Sequence, residues 1–125
     1  FRNISPVDLM NYRLPMAGKV SILHRVSGAL LFLCLPLLIA LFAMSFVSES
    51  GFNAMSTVAG NPIVKLILLV LIWGYLHHFC AGIRYLVLDL HIGMDKESAA
   101  KSASMVLGVS LALTVVFGLK LFGVW

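Results

Sequence analysis

Residues 26–48 contain no charged side chain, and this run limits what the chain can fold into more than any other feature. At about 1.5 Å per residue, a helix of that length crosses the roughly 30 Å hydrocarbon core of a bilayer. Two further apolar runs cover residues 62–89 and 102–122. Because 61% of the residues are hydrophobic and only 11% are charged, the composition excludes an ordinary soluble domain. The sequence predicts an integral membrane protein.

The predicted fold is all-α, with three transmembrane helices in one bundle and an N-terminal interfacial arm. A single membrane-anchor domain covers residues 1–125, with the arm at 1–19 and the helices at about 20–48, 62–89 and 102–122. Pro36 lies inside the first helix and is expected to kink it. A short polar loop is expected between the first two helices, since residues 48–53 are mostly small or polar.

Basic residues gather on one side of the predicted bundle. Seven of them flank the start of the first helix or the loop between the second and third helices, and two lie on the other side. The seven are Arg2, Arg13, Lys19, Arg25, Arg84, Lys96 and Lys101, and the two are Lys65 and Lys120. The positive-inside rule therefore places the N-terminus in the cytoplasm. Because the basic residues flank the predicted helices, we interpret the net charge of +4 as a signal of membrane topology. We therefore expect no nucleic-acid partner.

The second predicted helix carries two histidines and an arginine, and ionisable groups inside a membrane usually serve function. Neutral imidazole binds metals, and haem iron is the simplest metal partner for a lipid-embedded helix. At 100° per residue, Gly74, His78 and Gly82 lie on one stripe. A glycine one turn to either side of His78 leaves room for a flat macrocycle, although the same glycines are equally suited to close helix packing.

The other two histidines of the predicted bundle have different interpretations. His24 lies five residues after Lys19, and His78 lies eleven residues before Asp89. The helical rise therefore predicts different depths, about 8 Å and about 16 Å. We expect His24 to lie near a haem propionate and not to bind the iron opposite His78. His77 points about 100° away from His78, and we interpret it as hydrogen-bonded to a neighbouring helix.

Ser21 and Arg25 are separated by four residues, so on a helix they share one face near the membrane boundary. A hydroxyl and a guanidinium at that level donate hydrogen bonds, which suits a ligand with carbonyl oxygens and an apolar tail, such as a quinone. Position alone leaves a second interpretation open. In that one, Arg25 reaches lipid phosphates and Ser21 caps the helix.

Two motifs resemble the cytochrome b subunit of succinate dehydrogenase. The first is SILHRVSG at residues 21–28, which follows an arm containing Arg2, Ser5-Pro6 and Leu9. The second is HFCAGIR at residues 78–84 with Asp89 after it. The two motifs stand in the family's order and the resemblance covers nearly the whole chain. Departures from the family are Asn3 after Arg2, Tyr85 after the second motif, and His91.

The resemblance implies a non-flavin subunit of an enzyme, with no catalytic residue in this chain alone. By similarity, His78 is an axial metal ligand of a haem b that is shared with a second small anchor subunit. Ser21 and Arg25 bind ubiquinone, which receives electrons from iron–sulfur clusters. His24 and Arg25 lie near the haem propionates.

The implied partners are the second small membrane anchor, an iron–sulfur subunit, a flavoprotein subunit and membrane lipid. We expect a bacterial inner membrane in preference to a mitochondrial one. Two alternatives stay open at this level. One is the anchor of a quinol:fumarate reductase, which runs the same reaction in reverse. The other is a non-redox membrane anchor or assembly subunit, in which the histidines only make helix contacts.

Overall fold

The computed structural model describes residues 5–125, apart from the side chain of Leu9. The predictions about Arg2, Asn3 and the Leu9 side chain lie outside these residues. The described part is helical and has no strand; its helices are α1 (Pro6–Asn11), α2 (Met16–Val47), α3 (Glu49–Gly60), α4 (Pro62–Asp89) and α5 (Lys96–Leu121). Helices α2, α4 and α5 are long and apolar enough to cross a membrane. The predicted all-α bundle of three transmembrane helices is confirmed.

The second and third membrane helices begin at polar caps that their sequences supply. The Asn61 side chain accepts a hydrogen bond of 2.9 Å from the backbone N–H of Ile63, and Pro62 occupies the first turn of α4, where its missing N–H costs nothing. Asp95 accepts from the backbone N–H of Ser98 at 3.0 Å. Hydrogen bonds from the amide and the hydroxyl of Ser98 lower the pKa of Asp95 below its ordinary value.

The helix bounds correct three of the expectations. Helix α2 begins at Met16, before residue 20, because Pro15 is the residue that ends the preceding extended segment. Helix α5 begins at Lys96, before residue 102, because the Asp95 cap starts a helix whose first turns are charged. The predicted polar loop after α2 is wrong. Residues of that segment form α3, whose first turn is capped by Ser48 accepting from Gly51 N–H at 2.9 Å.

Helix α4 packs against both α2 and α5, which also contact each other. The bundle is held by small and medium side chains, and its buried apolar residues near the loop between α4 and α5 are Val20, Ala81, Ala103 and Val106. Along α5 the buried residues continue as Ser110, Thr114 and Gly118 at helical spacing. The two hydroxyls donate to carbonyls of their own helix. Small residues of this kind let helix backbones approach closely in a membrane.

The outward surfaces of the bundle are strongly apolar. On α2, Phe32 is 73% exposed and Leu33 is 75% exposed, which is the opposite of a soluble protein and suits contact with lipid chains. Helix α2 continues through Pro36 without a break. The buried polar side chains, which include His77 and Arg84, lie inside the bundle and near the loop between α4 and α5.

Candidate functional site

The ring of His78 lies against α2. It stacks on the ring of His24, with 4.1 Å between the ring centroids and an interplanar angle of 6°. The His78 Nδ1 atom is 3.1 Å from the backbone carbonyl oxygen of His24 and 3.3 Å from Oγ of Ser27. The two motifs of the sequence therefore contact each other directly, although they are more than 50 residues apart.

The hydrogen bonds around His78 define which ring nitrogen carries the proton. A carbonyl oxygen only accepts, so the Nδ1 atom of His78 donates to the carbonyl of His24. The Ser27 hydroxyl donates its own proton to that same carbonyl at 2.9 Å, which leaves Oγ as a second acceptor for Nδ1–H. The basic lone pair of the ring is then on Nε2. Histidines that bind metals commonly donate one ring N–H to a group such as a backbone carbonyl and coordinate the metal through the other nitrogen.

Glycine at position 28 makes this contact possible. A Cβ atom on Gly28 would lie 2.8 Å from Cε1 of His78, closer than real Cβ contacts.

The two glycines of the stripe predicted on α4 have different surroundings. Gly74 is buried and faces Ser27 and Leu30 of α2, so it serves close helix packing, whereas a Cβ on Gly82 would meet no described atom within 4 Å. Of these two glycines, Gly82 is the one that leaves space beside α4 among the described residues.

The expected difference in depth between His24 and His78 is wrong. Helix α2 begins at Met16, so His24 lies eight residues into it, about 12 Å, while His78 lies about 16 Å before the end of α4. The remaining difference in depth is short enough for the two side chains to span. Parallel rings 4.1 Å apart leave no space for an iron atom between them, which supports the expectation that His24 is not the ligand opposite His78. The edge of Tyr85 also contacts His24, at 5.1 Å between centroids.

His77 is fully buried, with 0% of its surface exposed. Neither of its ring nitrogens has a hydrogen-bond partner among the described residues, and the same is true of Nε1 of Trp73. The two rings stack at 5.1 Å between centroids. The backbone of Val20 on α2 lies within reach of the ring, so the interpretation of His77 as hydrogen-bonded to a neighbouring helix stays a prediction.

Ser21 and Arg25 occupy different surroundings, although they share a helix face. Ser21 lines a cavity of about 330 Å³ between α2, α4 and α5, together with Arg84 and Tyr85. Arg25 is exposed and lines neither this cavity nor the larger one beside α5. The cavity has a hydroxyl of Ser21, a phenol of Tyr85 and a guanidinium of Arg84 in its wall, so it offers several hydrogen-bond donors to a ligand.

Arg84 has no binding role in the predictions from sequence, which name it as an ionisable group inside the second helix and count it among the basic residues of the loop side. Its side chain is only 7% exposed. Its Nε atom donates to Oγ of Ser102 at 2.8 Å, and one terminal nitrogen donates to the carbonyl of Ala99 at 3.1 Å. The guanidinium also lies over the ring of Tyr85, at 5.6 Å. Its position inside the predicted second helix indicates that it needs a partner, but the sequence does not show that the partners are Ser102 and Ala99 of α5.

The family model described as "Succinate dehydrogenase/Fumarate reductase transmembrane subunit" matches residues 2–117. The chain belongs to this family. The succinate dehydrogenase cytochrome b556 subunit of Coxiella burnetii is 34% identical over 113 residues, which cover 90% of each chain. The same subunit of Paracoccus denitrificans is 30% identical over 92% of this chain and 88% of its own. The cytochrome b560 subunit of Reclinomonas americana is 27% identical over 92% of this chain and 83% of its own.

These matches confirm the resemblance that the two motifs carried. For a transmembrane subunit of the succinate dehydrogenase and fumarate reductase family, the most specific part of the structure is the contact between those motifs. His24, Ser27 and Gly28 from the first motif form the surface on which His78 from the second motif rests.

Proposed function

We propose that this chain is a haem b-binding membrane anchor of a succinate:ubiquinone oxidoreductase and that it contributes to the ubiquinone-reduction site. The observation that carries the proposal is the orientation of His78, whose Nδ1–H donates to the carbonyl of His24 at 3.1 Å. That bond fixes the ring and leaves Nε2 as the nitrogen that can bind iron. The name "cytochrome b556" of the relatives agrees with a haem of this type.

The surroundings of His78 fit a haem. Residues 5–125 bring no three His, Cys, Asp or Glu side chains together, so a metal bound here must take most of its ligands from elsewhere. A haem would bring four nitrogens of its own to the iron, so His78 would be the one ligand that this chain needs to supply. Bound haem supplies a one-electron carrier. His24 and Arg25 are one residue apart on α2 and provide a ring and a positive charge for the propionates.

A second iron ligand would come from a histidine of a second small anchor subunit. His24 is stacked on His78 and His77 is enclosed in the bundle, so neither of them would be free to serve as that ligand. An iron–sulfur subunit and a flavoprotein subunit complete the proposed assembly. No succinate chemistry is assigned to this chain.

The proposed quinone site is the cavity that contains Ser21. Its donors, the Ser21 hydroxyl, the Tyr85 phenol and the Arg84 guanidinium, lie beside apolar residues Ala17 and Leu88. Donors in a low-dielectric site stabilise the negative charge that the quinone oxygens gain during reduction. Arg25 lies one turn deeper on α2 than Ser21 and is exposed, so its role is to reach a quinone or a propionate at the boundary with the partner subunits. The site is proposed to lie at the cytoplasmic face of a bacterial inner membrane.

Visible spectra of the purified complex test the haem assignment. We expect reduced b-type haem bands in the native complex, and loss or a shift of these bands when His78→Ala replaces the ligand. The matched control is His77→Leu, which changes the adjacent histidine, whose ring nitrogens have no partner among the described residues; its spectrum should be native. A native complex without b-type bands would favour the non-redox anchor, and loss of haem only in His77→Leu would assign the wrong histidine.

A further inference from the structure

Arg84 is a buried positive charge whose recorded partners are both uncharged. The side chain is 7% exposed and donates to the Ser102 hydroxyl and to the Ala99 carbonyl. These bonds use two of the five N–H donors of a guanidinium. A charge in a low-dielectric region is costly unless an opposite charge compensates it. An anion from outside the described chain would complete this environment.

The guanidinium borders a cavity of about 490 Å³ between α4 and α5. Arg84 and Lys101 are the two charged residues in its wall, and no Asp or Glu lines it. Ser98 and Ser102 add two hydroxyls at the same end. The remainder of the wall is mainly apolar and includes Ile83, Val87, Ile92, Met105 and Val109. Outside the wall, Asp95 accepts a hydrogen bond from Ser98 at 3.0 Å, so one carboxylate at this end stands against the two basic residues of the wall.

The polar and apolar parts of this cavity are arranged along the helix axes. Ser98, Lys101 and Ser102 lie in the first two turns of α5, while Val109 lies about 11 Å further along the same helix. The deeper wall is open to the surroundings, with Met105 63% exposed and Val109 46% exposed. A ligand that fits has an anionic head at the helix ends and an apolar chain along α4 and α5.

The cavity also faces away from the proposed haem. At about 100° per residue, Cys80, Ile83 and Val87 lie roughly 140–200° around α4 from His78. The His78 ring rests on α2, so the cavity between α4 and α5 lies on the side of α4 away from that contact, and its apolar wall is exposed at Met105 and Val109. A transmembrane helix seated there would have to bring its own carboxylate to meet Arg84, and such residues are rare in lipid.

We propose that this cavity, named here the α4–α5 groove and defined by Arg84, Lys101, Ser98, Ser102, Met105 and Val109, binds an anionic phospholipid. Its phosphate accepts hydrogen bonds from the free donors of Arg84 and from Lys101, and its acyl chain lies on the apolar wall. Inorganic phosphate has the same charged group but no apolar chain, so it lacks the contacts with Met105 and Val109. Neutral headgroups lack the net charge.

The test uses the intact complex in phosphatidylcholine vesicles that contain phosphatidylglycerol with a photoactivatable acyl chain. Cross-links are mapped by peptide mass spectrometry, and the labelled lipid is titrated to obtain its dissociation constant. We expect labelling of α4 and α5 peptides around residues 83–87 and 105–109, and little labelling by phosphatidylcholine with the same photoactivatable chain. Lys101→Gln should weaken binding about fivefold, the effect of one basic residue near a lipid surface, and Arg84→Gln should weaken it more.

Lys96→Gln is the matched control, because it removes the same charge from the start of α5 at a residue that does not line the groove. It should leave the dissociation constant unchanged. Lys101 is exposed, so its variant tests the proposal even where Arg84→Gln disturbs folding. Equal weakening by Lys96→Gln would show general surface attraction and overturn the site. So would labelling confined to a partner subunit, equal labelling by phosphatidylcholine, or displacement of the lipid by inorganic phosphate.

Discussion

Helix α4 presents unlike polar groups to its two neighbours. Toward α2 it presents His78, a ring that is fixed by the His24 carbonyl and rests on Gly28. Toward α5 it presents Arg84, a charged group that donates to Ser102 and to a backbone carbonyl. The first contact uses one ring nitrogen and leaves the other available. The second ties two helices together through several donors.

This difference indicates a division of roles between the two faces of α4. A neutral ring with one fixed nitrogen is suited to holding a ligand-binding atom in a defined direction. A buried guanidinium bonded to the next helix is suited to fixing how the helices pack, because breaking one of its bonds leaves a buried donor without a partner. Variants on the α2 side should therefore change redox properties first, and variants on the α5 side should change stability first.

The largest expected effect is on electron transfer to quinone through the α2 side. Arg25→Ala should lower succinate-dependent quinone reduction by about 10-fold to 100-fold, and Ser21→Ala by less, because Ser21 lines the proposed quinone cavity and Arg25 is proposed to reach the quinone from its boundary. Arg25 should matter more, since a water molecule replaces a hydroxyl more readily than a guanidinium. Succinate oxidation with a soluble artificial acceptor, which takes electrons before the quinone, should stay near its native rate.

Ser104→Ala on α5 is the control for these assays, because the Ser104 hydroxyl is exposed and bonds only the carbonyl of Ala100 in its own helix. Quinone reduction in this variant should be native. If both α2 variants reduce quinone normally while the complex is assembled and contains haem, Arg25 belongs to the lipid boundary and the quinone site lies elsewhere.

The next effect is steric and tests how closely α2 must approach His78. Gly28→Ala places a Cβ 2.8 Å from Cε1 of the ring, and such overpacking typically costs about 1–3 kcal/mol. We expect a lower unfolding temperature of the complex and less haem per complex. Gly108→Ala is the matched control, since a Cβ at this helical position meets no described atom within 4 Å. Equal haem content in both variants would show that the ring moves aside freely.

Much of the fold could be predicted because membrane helices are defined by their own apolar length. The uncharged run at residues 26–48 predicts a membrane helix by its length alone. The bounds of α4 follow from Asn61-Pro62 and Asp89. Helix α3 was missed because its polar residues resemble a loop, while its start depends on one cap at Ser48. Local signals of this kind are weak compared with a long hydrophobic run.

The sequence proposes a set of residues for the site but does not give their geometry. Residue types in the two motifs pointed to His78, Ser21 and Arg25. The stacking of His24 on His78 was missed because depth was counted from charged residues, which need not lie at the same level at the two helix ends. The burial of Arg84 depends on small residues of α5 facing it, and that pairing of helix faces is a tertiary property.

A smaller effect is expected on the α5 side. Ser102→Ala removes the acceptor of the Arg84 Nε–H bond and should destabilise the bundle by about 1 kcal/mol, between the value for bonds to charged groups in water and the lower mean found in membranes. Haem spectra should be native. Ser104→Ala, with its own-helix bond, serves again as the control. A changed haem spectrum in Ser102→Ala would contradict the division of roles between the two faces.

The smallest effect should come from Ser27→Ala, and it tests the α2 side most finely. The variant removes one of the two acceptors near Nδ1–H of His78, while the His24 carbonyl remains at 3.1 Å. A weaker bond at Nδ1 makes the ring a poorer donor to iron, which favours the reduced state. We expect the haem midpoint potential to rise by about 18 mV, a twofold change in a one-electron equilibrium.

Ser45→Ala is the matched control for Ser27→Ala, because both hydroxyls donate to the carbonyl three residues earlier on α2 and Ser45 has no recorded bond to α4. Its potential should equal the native value, while thermal stability should change little in either variant. A purely structural role for Ser27 predicts altered stability with an unchanged potential. An unchanged potential in Ser27→Ala, with His78 confirmed as ligand, would leave the His24 carbonyl as the sole group that orients the ring.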